Sequence, residues 1–164
     1  MNDTLQEDIQ RAAELMHVAV RVEGIDAEVA CFVAGRILRQ ENIDVLVCSQ
    51  SISCRDHMGR QPVSNELFLR VGDRVINGFG VYHNVEQMAD DLTDRLQVVK
   101  AQAHGQPRSY PVDETKEAED IYTGWGHTSS DIEAMVDTLT IEDRAERIHK
   151  ATPMIAGSAP QRRL

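Results

Sequence analysis

Chemistry in this 164-residue chain has to come from three cysteines, six histidines and a scatter of carboxylates. Cys31 is the first candidate, because a thiolate becomes a strong nucleophile once a base such as His57 or His83 takes its proton. A reactive cysteine stands exposed at a helix N-terminus, where the dipole lowers its pKa. Cys31 instead falls about one turn inside a predicted helix, on the face shared with Ala34 and Leu38, and core packing is its expected role. Cys48, Cys54 and His57 follow the spacing Cys-x5-Cys-x2-His and offer three soft ligands. A structural zinc site has four ligands with tighter cysteine pairs, and only Asp56 or His83 could be added here, so no metal is expected. The histidines form no HExxH pattern, and no cofactor is expected. Asp56, Glu66 and Asp73 are the carboxylates available for acid–base work, but Asp73 follows Gly72 at a turn that favours Asp for its geometry alone.

Gly124-Trp125-Gly126-His127-Thr128-Ser129 places small residues before a predicted helix, which is the composition of an anion-binding nest. Neither a lysine nor a preceding strand accompanies it, so a turn leading into a helix cap accounts for the run. Trp125, the only tryptophan, and nearby Tyr122 are of the types that anchor cores and interfaces.

These residues need elements to position them. Leu5, Ile9, Ala12, Met16 and Val20 recur at helical spacing, predicting a helix over 4–22 with Thr4 and Glu7 as a capping box. Asp26 is placed to cap a second helix over 27–40, buried through Ala30, Val33, Ala34, Ile37 and Leu38. A β-rich run from Ile43 to Ser51 predicts a strand, and 54–63 reads as a loop. Two short strands flanking Gly72-Asp73 predict a type II′ hairpin. Asn84, with Gln87 three residues on, opens a third helix whose apolar stripe runs to Val99, with its end expected near Gly105. Residues 105–115 read as a loop or crossing segment. Ser130 with Glu133, and Thr140 with Asp143, predict two short helices, to Leu139 and to Lys150. The fold class is α+β: two N-terminal helices, a small antiparallel sheet with a β-hairpin and helices on one side, then a long helix and shorter C-terminal ones. One domain over 1–150 and a flexible tail over 151–164 are expected.

The segment 24–77, in IDAEVACFVAGRILRQENIDVLV followed by ELFLRVGDRVIN, resembles the core of the transglutaminase-like and papain-like cysteine peptidase superfamily. The resemblance implies a nucleophilic cysteine at the start of the helix, a histidine on the following hairpin and an acid beyond it. In this chain those positions hold Ala27, Glu66 (or Asn65 in the adjacent register) and Asn77. With no nucleophile at Ala27 and no imidazole at Glu66, the resemblance implies a pseudoenzyme retained for binding.

Charge points the same way. The chain carries −10 overall, and residues 113–146 hold eleven acids against Lys116 and Arg144, a net of −9. Phosphate backbones require a basic surface, so direct nucleic-acid binding is not expected, and no apolar run is long enough for a membrane span. Acidic residues replace the basic opening of a secretory signal and the cysteine count is odd, so a cytoplasmic location is expected. The expected partner is a protein with a basic surface, met by Glu117, Glu119, Asp120, Tyr122, Trp125, Asp131, Glu133 and Asp137. Two other readings stand beside this one: a small acidic inhibitor that mimics nucleic acid, and a thiol enzyme using Cys31 with His57 or His83.

Overall fold

The apolar stripe that begins at Leu5 folds as predicted into a helix, α1 (Asp3–His17), which continues as a wider π-helical turn over Val18–Val22. A computed structural model describes residues 3–110, 112 and 116–149, with the side chains of 3, 116–118, 122 and 141–149 outside that description. The proposed tail 151–164 lies outside the described residues. Gly24, at φ +70°, ends the first helical run in a conformation that costs glycine nothing. α2 (Ala27–Gln40) follows, and Val29 through Leu38 are buried without a break. Asp26 occupies the cap position, yet its side chain makes no capping hydrogen bond. Arg11 on α1 grips the Glu41 carboxylate at the end of α2 through Nε at 2.8 Å and a second nitrogen, so the two helices are joined at the surface as well as in the core.

Five antiparallel strands form one sheet: β1 (Leu46–Arg55), β2 (Val63–Val71), β3 (Arg74–Ile76), β4 (Val81–Tyr82) and β5 (Lys100–Tyr110). Their spatial order is β4-β3-β2-β1-β5, so the chain builds outward in one direction and then crosses to the other edge. β1 runs four residues beyond the predicted end at Ser51, because Ser51, Ile52 and Ser53 pair with Asn65, Ser64 and Val63. The Gly72-Asp73 hairpin is as predicted: Gly72 has φ +59° and Asp73 keeps a negative φ, as a II′ turn requires.

The expectation of helices on one side of the sheet is overturned. α1, α2 and the last helix pack on the face carrying Val47, Leu69, Val71 and Ile76. Cys48, Ile52, Phe68, Val75 and Ala101 point the opposite way and are covered by α3 (Val85–Arg95) through Val85, Met88, Ala89 and Leu92. Apolar residues at consecutive positions, as in Leu67-Phe68-Leu69 and Val75-Ile76, feed both faces at once. Full burial of Phe68 and of Ile52 beneath α3 contributes about 1.5–3 kcal/mol each.

α3 opens with the predicted box. Asn84 Oδ1 accepts from the Gln87 N–H at 2.8 Å, and Gln87 Oε1 accepts from the His83 N–H at 2.8 Å. Its predicted end near Gly105 is wrong by ten residues. The helix stops at Arg95, Gln97 turns into the left-handed region at φ +54°, and Thr93 Oγ1 accepts the Ala101 N–H at 2.9 Å, which turns the chain into β5. The stretch 105–110, read as loop, is therefore part of the longest strand. β5 tolerates its glycine and proline because the register against β1 shifts between Ser49 and Ser51, where Gly105 adopts φ +70°.

Beyond Val112 the chain forms α4 (Lys116–Gly124), which the acidic composition had hidden, and α5 (Ser129–His149). α5 is one continuous helix where two were expected. Thr140 does not cap a new start: its hydroxyl donates to the Val136 carbonyl at 2.7 Å, one turn back. The cap of α5 is Thr128 with Asp131, in place of the expected Ser130 with Glu133. Thr128 Oγ1 accepts from the Asp131 N–H at 3.1 Å, and Asp131 Oδ2 accepts from the Thr128 N–H at 2.9 Å. Among the described residues no helix is long and apolar enough to cross a membrane.

Candidate functional site

The thiol chemistry is the first to be placed. Cys31 is fully buried in the core on α2, and burial, reinforced by Glu28, pushes its thiol well above the usual range. His57 is exposed in the loop between β1 and β2, and His83 is exposed at the start of α3, on the far side of the sheet. Neither is positioned to take a proton from Cys31. Cys48 and Cys54 are also raised by burial, and among the described residues no group of three histidine, cysteine or carboxylate side chains is placed to hold a metal ion.

The three positions implied by the peptidase resemblance do not converge. Ala27 is exposed at the start of α2. Glu66 is two residues from Phe68 and pairs with Gln50, which puts it on the α3 face of the sheet, away from α2. Asn77 spends its carbonyl on the turn after β3, accepting from the Phe79 N–H at 2.8 Å and the Gly80 N–H at 3.0 Å. Only Asn65, the alternative position, shares the sheet face that α2 packs against.

The acidic segment folds into a surface. α5 presents Ile132, Val136 and Leu139 to the core, where all three are buried, and helical periodicity then turns Asp131, Glu133 and Asp137 outward. Glu119 and Asp120 on α4 are exposed beside them, and Ser129 Oγ donates to Glu119 Oε2 at 2.8 Å, joining the two helices. The Thr128 hydrogen bonds that cap α5 hold the Asp131 carboxyl below its ordinary range, so it stays ionised through mild acid. Trp125, in the turn between the helices, is 39% exposed and braced by a tilted contact with Phe32 at 5.8 Å; Phe32 in turn meets Tyr110 at 6.0 Å. Of the expected binding residues, Glu117 and Tyr122 have side chains outside the described set.

Sequence reasoning missed a second polar surface. Toward the far end of β1, the α2-side face of β1, β2 and β5 carries hydroxyls and amides, with Ser49 and Ser53 buried and Ser51 half-buried among them. Ser53 Oγ lies 2.6 Å from His104 Nε2 and receives a weaker contact from Gln61 at 3.4 Å. Ser51 Oγ donates to Asn65 Oδ1 at 3.2 Å, and Ser49 Oγ shares a hydrogen bond with the Tyr110 hydroxyl at 2.8 Å. The alternate serines at 49, 51 and 53 were the available signal, since period-two polar residues in a strand share one face. A third cluster sits at the opposite edge. Asp91 accepts from the Tyr82 hydroxyl and from Arg95 Nε at 2.7 Å, while Arg95 and Arg21 lie over the Phe79 ring at 4.3 and 5.3 Å from its centroid. Burial and the Asp91 carboxylate push the Tyr82 hydroxyl upward, which makes it a structural donor and not a base.

Comparison with protein-family models, with curated proteins and with solved structures finds no match to this chain.

Proposed function

We propose that the chain is a non-catalytic protein-binding module that receives a basic partner on the exposed side of α4 and α5, with Trp125 as the apolar anchor. The observation that carries this reading is the division of α5: Ile132, Val136 and Leu139 lock it to the core, while Asp131, Glu133 and Asp137 face solvent beside a half-exposed tryptophan. Carboxylates of one sign on a fixed helix steer a basic partner and raise its rate of encounter. A braced aromatic supplies the desolvated contact that charge alone does not, and such residues dominate binding energy where they are central. The enclosed Cys31 and the substitutions Ala27, Glu66 and Asn77 favour binding over thiol catalysis on this scaffold.

The test is affinity capture from a host lysate at about 0.1 and 0.5 M salt, followed by titration calorimetry with the purified partner. The expected partner is basic, lost at the higher salt, and lost again with the Glu133→Lys/Asp137→Lys protein or with Trp125→Ala. A partner indifferent to all three changes would sink the reading. Displacement of the chain by duplex DNA would assign it the nucleic-acid-mimic form of the same surface.

A further inference from the structure

We propose that the outer edge of β5 is a second docking site, which takes an extended acidic peptide segment as a sixth strand of the sheet. β5 closes the strand order and has β1 on one side only. Its other side therefore turns alternate main-chain groups outward, with no ladder partner among the described residues; the Ala101 N–H on that side is held by Thr93 Oγ1 at 2.9 Å, so the groups left for a new strand begin at the Ala101 carbonyl. Edge strands are commonly blunted by bulges and proline. Here both devices fall in the second half of the strand, at Gly105 and Pro107, while Lys100 to His104 keep an unbroken register against Arg55 to Ser51. That regular stretch is long enough to seat a short extended segment through main-chain hydrogen bonds.

Charge selects the occupant. β1 and β5 together contain no aspartate or glutamate, in a chain whose net charge is −10. Alternation along the strands puts Lys100 and His104 on the same face as Arg55, and all three are exposed there. Among the described residues no carboxylate forms an ion pair with Arg55 or Lys100. A strand added beside β5 carries its alternate side chains next to Lys100 and His104, within cross-strand reach. Carboxylates at alternate positions of the incoming segment meet the Lys100 ammonium with the Arg55 guanidinium behind it, and lysines in the same places meet like charge. A second copy of this chain is the poorer occupant, because edge-to-edge pairing of β5 with itself sets two carboxylate-free basic strands side by side.

The probe is a fluorescein-labelled nonapeptide of alternating Thr and Glu, titrated into the full chain by fluorescence anisotropy, with the Thr/Lys peptide as counterpart. The Thr/Glu peptide is expected to bind, with affinity falling about tenfold as salt rises from about 0.05 to 0.3 M. Binding should vanish with the Arg55→Glu/Lys100→Glu protein and survive Glu133→Lys. Methylating one alternate set of peptide amide nitrogens should abolish binding, and methylating the other set should be tolerated, a readout that needs no protein variant to fold. Absence of binding, equal binding of the Thr/Lys peptide, or indifference to both sets of methyl groups would each overturn the proposal. So would sedimentation showing that the wild-type chain dimerises and that Lys100→Glu makes it monomeric, since the edge would then belong to a second copy.

Discussion

The outer side of α4 and α5 and the open end of the β1–β5 surface are built by different means from one chain. The first is local: an amphipathic helix buries Ile132, Val136 and Leu139 and thereby turns its acids to solvent. The second is assembled by pairing across the fold, since Arg55 and Lys100 meet only because β5 crosses to the far edge of the sheet. One surface is rich in carboxylates and the other has none, so net charge describes neither. A partner responds to the local field within about one Debye length, roughly 8–10 Å at physiological salt, and not to the sum over the molecule.

The largest expected effect comes from breaking the anchor of the first region. Leu139→Ala removes a fully buried side chain and should lower stability by about 2–5 kcal/mol in urea denaturation. A change within experimental error would mean that α5 is not held to the core, and the acidic face would lose its rigid base. Next is Gly35→Ala, at the join between the two regions. In an open helix this exchange stabilises by about 1 kcal/mol. Here a Cβ would meet a Val112 methyl at 2.9 Å and a Val47 methyl at 3.1 Å, so a loss of about 1–3 kcal/mol is expected in thermal unfolding. Glu133→Lys with Asp137→Lys sharpens the contrast between the surfaces: affinity for a basic partner should drop tenfold or more, about 1.4 kcal/mol, while stability moves by less than about 0.5 kcal/mol. The smallest effect is at the cap of α5. Thr128→Ala should cost about 1 kcal/mol near neutral pH. Because the folded Asp131 carboxyl is lowered, its contribution is complete above the unfolded value near 3.9 and disappears as pH falls through the folded one. The wild type should therefore lose more stability on acidification than Asp131→Asn, which cannot titrate, as measured by melting temperature against pH.

What the sequence made legible follows the same division. α1, α2, the Asn84–Gln87 cap and the Gly72-Asp73 turn depend on residues within a few positions of one another, and all are present as read. β5 was missed because Lys100, Gln102, His104, Gly105 and Pro107 have little preference for strands, and only β1 across the sheet makes them one. The two-sided cover of the sheet was misjudged for a related reason. Periodicity marks a helix as amphipathic but does not say which face of the sheet it will take, and α3 took the opposite one. Thr140 and Asp143 have the spacing of a cap, yet the helix runs through them because Thr140 bonds back to Val136. The acidic residues were identifiable by count alone; their presentation to solvent follows from which residues of α5 the core takes, Ile132, Val136 and Leu139.

The close approach at Gly35 bears on how the acidic surface meets a partner. Val112, the last described residue before α4, presses on the α2 backbone where a side chain is missing, and α5 returns to the same core through Leu139. The acidic surface is thus tethered at Val112 before α4 and at Leu139 on α5. A surface held in this way surrenders little conformational freedom when it is occupied, so the entropy that a loose arm would lose on binding is already spent in folding.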